Sequence, residues 1–437
     1  MKQHHNFQEF LRYSLLNMLG MIGLSCYILA DTFFVSKGLG TKGLAALNLA
    51  IPVYNLIHGS GLMLGMGGSV KFSVFQSQKK EKDARRVFTN TLYMVLFFAV
   101  LFSFAGLFFS HHISRLLGAD ANVFSMTNTY LKVLLLFAPA FLLNDTILCF
   151  VRNDGNPKLS MTAMIVGSLS NIILDYIFIF PCGMGMFGAV FATGLAPVIS
   201  LIILSGHFRK KENHLKVSFA PISSRLCLAG ITLGLPSFIT EVSSGIVMIV
   251  FNYIILGLEG NVGVAAYGVI ANISLVVIAI FTSLGQGIQP LVSRSLGQRA
   301  HKDMKAFLSY AVCSSFLIAA AVYFFTFQFA EALTAIFNSE HNPMLQAIAS
   351  DGIKLYFIGM FFAGCNIVLS LYFSASEHAI PAQLISTLRG FIILIPVSFL
   401  LSGIWQMTGV WLAFPVTELI TFLVGIIAYF RIPRYIS

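Results

Sequence analysis

Two long stretches, Leu92–Phe109 and Val312–Phe329, contain no charged side chain, and a third, Met161–Phe180, contains one, Asp175. A helix needs roughly 20 mostly apolar residues to cross a bilayer core. Runs of this length therefore settle the solvent before they settle the fold. Composition agrees: 10% of the residues are charged, 57% are hydrophobic and the mean hydropathy is +0.84, whereas soluble domains carry about 25% charged residues. Breaking the chain at its polar interruptions predicts about twelve spanning helices, near 11–35, 44–72, 87–110, 123–151, 160–180, 188–206, 226–256, 264–292, 307–330, 346–375, 382–403 and 408–430. The expected fold class is an all-α polytopic membrane protein.

A net charge of +10 could signal a polyanion partner, but the positions of the basic residues point elsewhere. With the N-terminus on the cytoplasmic side, 21 of the 27 Lys and Arg fall on that side or at its border, from Lys2 to Arg434. Lys37, Lys42, Arg115, Lys132 and Lys354 fall near the outer side, and Arg389 lies within a helix. This is the asymmetry of the positive-inside rule. Both termini are expected to be cytoplasmic, the protein to be multi-pass in a bacterial cytoplasmic membrane, and no nucleic acid to be bound. The six cysteines form no C-x-x-C and read mostly as packed helix residues. The first apolar run reads as a spanning helix, not a cleaved leader.

Sliding the chain along itself until Gly40 meets Gly260 also aligns Gly43 with Gly263, and Ala45-Ala46 with Ala265-Ala266. The same ungapped offset pairs Gly65 and Gly67 with Gly285 and Gly287, Ser73 with Ser293, Gln78 with Gln298, and Lys82-Asp83 with Lys302-Asp303. Two six-helix halves that enter from the same side form a parallel repeat, an arrangement found in secondary transporters with a site between the repeats. The expected lobes are 1–206 and 226–437, joined by a basic cytoplasmic linker at 207–225. One chain holding both halves is expected to work as a monomer, without an obligate protein partner.

Residues 171–193, NIILDYIFIFPCGMGMFGAVFAT, contain a literal G-x-G-x-x-G at Gly183, Gly185 and Gly188. A dinucleotide site needs a strand before the glycines and a helix after them. Here about 20 apolar residues lie on each side, too many for a strand, so the glycines are expected to form a turn between two spans. The acid in this stretch is more informative. Asn171 and Asp175 are four apart, hence on one helix face, and Ser168 joins them. A carboxylate at membrane depth is costly unless neutralised, paired or hydrated, which makes it a functional candidate. Asp31 lies in a similar apolar setting in the first helix, and Thr193 opens the helix after the turn.

The segments LADTFFVSKGLGTKGLAALNLAIP (29–52), RNDGNPKLSM (152–161), residues 171–193, GLPSFITE (234–241) and SLGQGIQPLVSRSLGQ (283–298) together resemble multidrug and toxic compound extrusion (MATE) transporters, nearest their MepA-like and DinF-like bacterial branch. The resemblance spans essentially the whole chain. It implies export of amphipathic, often cationic drugs by antiport with H⁺ or Na⁺, with antibiotic resistance as the phenotype and no cofactor. Carried over residue by residue, it implies a cation-coupling cluster of Asp31, Asn171, Asp175 and Thr193, which is also where Na⁺ would sit, with Tyr130 and Ser168 nearby in the N-terminal lobe. Glu241 matches an acid that some members use in the C-terminal lobe. Those members also carry an acid in helix 10 that has no counterpart here. Asp31 maps by the offset onto Phe251 and Asp175 maps near Pro396, so coupling is expected mainly in the N-terminal half.

Asp145, seven positions before Arg152, reads as an acid hydrated from the cytoplasmic side. Arg389 and Glu418 are expected to pair within the membrane, and His111-His112 to be solvated. Asp31 and Asp175, if adjacent, would disfavour simultaneous ionisation and so could take up a proton on one side and release it on the other. The alternative function is a flippase for lipid-linked saccharides of the related superfamily, which would need a strongly cationic cavity. An intramembrane enzyme would need clustered chemistry such as H-E-x-x-H at membrane depth, and the sequence has none.

Overall fold

The computed structural model describes residues 2–219, 221–338 and 341–431. Arg434, placed on the inner side above, lies outside the described residues, as does the Lys2 side chain. Helices come in the order α1 (Lys2–Ser77), α2 (Glu81–Phe108), α3 (Ser110–Leu116), α4 (Phe124–Leu136), α5 (Ala138–Asn153), α6 (Pro157–Ile179) and α7 (Gly185–Ser205). After the linker follow α8 (Ser224–Gly297), α9 (His301–Gln328), α10 (Ala330–Phe337), α11 (Pro343–Tyr356), α12 (Met360–Ala375), α13 (Ala379–Thr387) and α14 (Leu394–Arg431). No strand occurs among the described residues. Gly183 and Gly185 adopt φ of +60° and +59° in the turn between α6 and α7, so the glycine motif is a helix–helix connection and not a phosphate loop.

The two longest helices are hairpins. In a straight helix, Tyr27 and Tyr54 of α1 would lie roughly 40 Å apart at 1.5 Å per residue, yet their hydroxyls are 2.8 Å apart. The fold-back falls at Gly40, with φ 67° and ψ −160°, a region essentially reserved for glycine. In α8 the Phe251 and Tyr267 rings stack at 5.2 Å around Gly260, with φ 62° and ψ −153°. The turn at Gln406 (φ 51°, ψ −130°) in α14 likewise lets Glu418 reach Arg389, 29 residues away in sequence. Nine stretches are long and apolar enough to cross a membrane, counting α4 with α5, which meet at 49°, as one. Three of them fold back, which gives twelve crossings among the described residues.

The repeat extends to the backbone. Lys79 (φ 60°) and Arg299 (φ 58°) occupy equivalent left-handed positions after the two hairpins, related by the same offset as Gly40 and Gly260. Each precedes a helix with acid in its first turn, Glu81 and Asp83 in α2 and Asp303 in α9, complementing the helix dipole. In α2, Leu96, Phe97, Val100, Phe104, Leu107 and Phe108 are exposed, while Thr91, Met94, Val95, Ala99, Phe102 and Gly106 are buried. An exposed face of that character is suited to lipid. The cysteines divide more evenly than expected: Cys149 and Cys365 are buried, but Cys26 and Cys313, also in helices, are exposed.

Packing gathers the chain into two units. One comprises Leu16–Val242 with Ser293–Gln298. In it the linker is fastened to α2 by Ser218 N–H donating to Thr89 Oγ1 (3.0 Å) and Ser223 N–H donating to Asn90 Oδ1 (2.7 Å). The other comprises Met1–Leu15, Ser243–Val292 and Arg299–Ser437. There Asn6 donates to Asp303 (3.0 Å) and the rings of Phe7 and Phe10 lie 5.3 and 5.7 Å from Tyr310.

Asp154, just past α5, holds the start of the linker. Its buried carboxylate bonds His207 Nε2 (2.8 Å) and His214 Nδ1 (2.9 Å), and accepts from His214 N–H (3.0 Å) and Gln76 Nε2 (2.8 Å). Burial alone would raise the carboxyl's pKa. The bonds from His207, the His214 backbone and Gln76, with the nearby His214 charge, outweigh it and hold the pKa below the ordinary carboxylate value. A lowered folded-state value means the attachment is intact above about pH 4 and is lost as pH falls through the lowered value. Pepsin digestion at stepped pH is expected to leave 206–217 resistant near pH 4 and open it below. With Asp154→Asn, trypsin at neutral pH should cut at Lys210, Lys211 or Lys216 several-fold faster than in the wild type.

A second expectation concerns the turns. Gly40→Ala is expected to cost about 1–3 kcal/mol because a side chain is strained at that backbone geometry. Gln406→Gly should relieve strain of the same kind. Thermal unfolding in detergent should therefore move in opposite directions for the two variants.

Candidate functional site

Four helices of the first unit converge on one acidic pair. The first arm of α1 brings Asp31, and α6 brings Asn171 and Asp175 on the buried stripe that also holds Ser160, Ala163, Gly167, Ser168 and Ile179. Those positions recur at three and four residues, which is why α6 hides its polar groups from lipid. Helix α7 contributes Thr193, and α4 contributes Tyr130. Asn171 and Asp175 are fully buried, and Asp31, Thr193, Tyr130 and Ser168 are nearly so.

The Asp31 and Asp175 carboxyls are within hydrogen-bond reach of each other. Carboxylates accept and cannot donate, so this contact needs a proton between them. With its NH₂ turned toward Asp175, Asn171 donates to Asp175 Oδ2 at 3.0 Å and accepts from the Thr193 backbone N–H at 3.2 Å. The Thr193 hydroxyl donates to the Ala189 carbonyl at 3.0 Å and bonds the Tyr130 hydroxyl. One oxygen of each acid, Asp31 Oδ1 and Asp175 Oδ1, is buried without a partner. The structure thus gathers Asp31, Asn171, Asp175, Thr193 and Tyr130. Ser168 lies two turns before Asp175 on α6, beside Gly23 of α1, and is buried on the same face.

A second polar cluster lies in the same unit, and the sequence reading missed its centre. His58 Nδ1 is 2.8 Å from Asp145 Oδ2, so Asp145 is a partnered acid and not simply a hydrated one. Glu241, in the first arm of α8, is close enough to His58 and Asp145 to interact electrostatically with both, and it belongs to the Leu16–Val242 unit. Room for this comes from the HGSG run at 58–61: a Cβ on Gly61 would lie 2.8 Å from the Asp145 carboxylate, and one on Gly59 would lie 3.1 Å from Glu241 Cβ. Two turns beyond Asp145, at the end of α5, Arg152 is buried and donates to Asn17 Oδ1 at 2.6 Å.

The third cluster, in the other unit, is an ion pair. Arg389, within a π-helical stretch at Leu388–Ile392, donates from Nη2 and Nε to Glu418 Oε1 at 2.7 and 3.1 Å. Asn366 donates to Glu418 Oε2 at 2.7 Å and to its carbonyl at 2.8 Å. Both oxygens of this acid are satisfied, unlike those of the first cluster. No group of three or more His, Cys, Asp or Glu among the described residues is arranged to hold a metal ion.

Comparison with known proteins gives this geometry a family. The MatE family model matches residues 17–177 and 236–400. The multidrug export protein MepA of Staphylococcus saprophyticus subsp. saprophyticus is 24% identical over 407 residues, covering 92% of this chain and 89% of that protein. MepA of Staphylococcus aureus strain MSSA476 is also 24% identical, with the same coverage. Among solved structures, a MOP superfamily transporter from Pyrococcus furiosus Vc1, for which reversed pocket polarity suggests a different function, superimposes with a TM-score of 0.91 at 25% identity, covering 98% of this chain and 96% of that one. The outward-facing conformation of a multidrug resistance MATE family transporter gives 0.90 at 24% identity, covering 96% and 94%. The chain belongs to the MatE family of multi-pass membrane transporters.

Proposed function

We propose that this protein is a multidrug exporter that moves amphipathic, often cationic organic compounds outward in exchange for protons. The observation that carries this reading is the Asp31–Asp175 pair, buried at membrane depth with one unpartnered oxygen on each acid. Two ionised carboxylates in contact repel, and each loses hydration on burial. A proton between them removes both penalties, and so does an organic cation nearby. Proton and drug therefore compete for the same negative charge, which is what antiport requires. The multidrug export relatives support the same substrate class.

The energetics suffice. Inward proton movement yields about 1.4 kcal/mol per pH unit and about 2.3 kcal/mol per 100 mV. Concentrating a substrate a hundredfold needs about 2.7 kcal/mol. Sodium is the second reading, because Asp and Asn oxygens suit hard cations. The Asn171 oxygen accepts one hydrogen bond and the Thr193 hydroxyl donates its own, and each oxygen keeps lone-pair capacity, so the choice between proton and sodium falls to the gradient experiment. A lipid-linked saccharide flippase needs unneutralised cations for diphosphate. Here Arg389 is neutralised by Glu418.

Ethidium transport in proteoliposomes tests the proposal. An imposed pH gradient should drive uptake into everted vesicles, and Asp175→Asn should reduce it at least tenfold without loss of folded protein. Uptake driven by a Na⁺ gradient alone would replace the proton with sodium at the same site. No ethidium movement under either gradient would overturn drug export.

A further inference from the structure

We infer that His58 and Asp145, with Glu241 beside them, form a second proton-loading site in the Leu16–Val242 unit, separate from Asp31–Asp175 and joined to it by the Tyr27–Tyr54 hydrogen bond. This rests on the proton-antiport reading above and extends it.

The arrangement follows from the Gly40 hairpin. Tyr27 precedes Asp31 by one turn on the first arm, and Tyr54 precedes His58 by one turn on the second. The arms run in opposite directions, so Asp31 lies roughly 13 Å from the turn, the two tyrosines roughly 20 Å and His58 roughly 27 Å, at 1.5 Å per residue. The tyrosine hydroxyls meet at 2.8 Å, midway between the two acidic groups. Tyr27 lies in the electrostatic field of Asp31, Asp175 and Asp145 together, and Tyr54 in that of Asp145 and Glu241. The Tyr54 ring also stacks on His58, centroids 5.8 Å apart at 15°.

The pair has two charge states. A neutral imidazole donating Nδ1–H to ionised Asp145 carries a net charge of −1. Adding one proton to the imidazole gives an imidazolium–carboxylate pair with no net charge. The groups that face this pair are Glu241 from α8, Tyr54 and Tyr27 from α1, and Cys149 from α5, with Arg152 one further turn away. Glu241 is a second acid beside the pair, and Arg152, two turns from Asp145, is turned to Asn17, so the unloaded site attracts a cation in a low-dielectric setting. An imidazole aimed at a buried acid deep in a spanning arm has no lipid-facing or packing requirement that a Phe or Leu would not meet better. Its position gives the unit a station for a second proton, reached from the first through two hydroxyls.

The test measures protons released when ethidium binds detergent-solubilised protein in weakly buffered solution, with binding followed in parallel by ethidium fluorescence. Wild type should release protons, and Asp175→Asn should retain about half of that release, because an independent site still exchanges its proton for the cation. His58→Gln, which keeps a side chain of similar reach and one hydrogen bond, should remove about half in the wild-type background and nearly all in the Asp175→Asn background. Asp145→Asn should match His58→Gln. Tyr54→Phe should leave the proton count unchanged while slowing pH-driven ethidium uptake several-fold. If Asp175→Asn alone abolishes all release while ethidium still binds, the second site is overturned and the antiport reading stands. If wild type binds ethidium and releases no protons, antiport and the second site fall together. If Tyr54→Phe transports at the wild-type rate, the link between the sites is overturned.

Discussion

Inside a bilayer there is no water to take up a backbone hydrogen bond, and the rest of this structure depends on that constraint. It forces the chain into helices, and it also decides what hydroxyl side chains do. Ser60, Thr91, Thr193 and Ser398 each donate to the carbonyl one turn back, at distances between 2.6 and 3.0 Å, so a polar residue can sit in a span without needing a partner on another helix. The chain can reverse only where a few residues adopt backbone conformations that cost little. Gly40 and Gly260 do this at no steric cost, and Gln406 does it with strain.

Given that background, the buried charges sort themselves by whether their needs are met. Glu418 has Arg389 on one oxygen and Asn366 on the other, so both carboxylate oxygens are satisfied and its charge is paired. Breaking such a pair leaves an uncompensated charge, so it holds helices in register. Asp31 and Asp175 are each left with a buried oxygen that nothing satisfies. Those two oxygens are the feature on which the proton-antiport proposal rests. The two acidic arrangements differ in chemistry as well as in the unit that carries them.

The fold was largely legible from sequence because membrane solvent writes itself into long apolar runs, and the single repeat offset marked both hairpin turns before any backbone angle was known. The Asn171–Asp175 relation was legible because it is local, one turn apart on one helix face. Its junction with Asp31 is made across most of the first half of the chain and came from family resemblance, not from spacing. His58 left no comparable trace: its partner Asp145 is 87 residues distant, and one histidine in an apolar run looks the same whether or not an acid faces it. The small residues that follow it, Gly59 and Gly61, were the available signal, since closely spaced glycines in a helix mark faces where neighbours approach closely. Arg152 keeps its place at a helix end, but the burial of its side chain could not be read from position alone.

The two halves of the repeat differ at the positions of the polar clusters. At the position equivalent to Asp31, the second half carries Phe251, stacked on Tyr267, whose ring lies 6.4 Å from Trp411. An aromatic stack offers area and polarisable faces but no carboxylate to exchange a proton. The equivalents of Tyr54 and His58 are Ser274 and Ile278, so neither the tyrosine bridge nor the histidine is repeated. The two halves share a backbone plan down to their left-handed turn residues, yet the buried acid pair and the histidine–acid pair both lie in one packed unit. Glu241 sits at that seam: encoded at the opening of the second half, it lies beside His58 and Asp145 of the first, so the packed unit does not end at the repeat boundary.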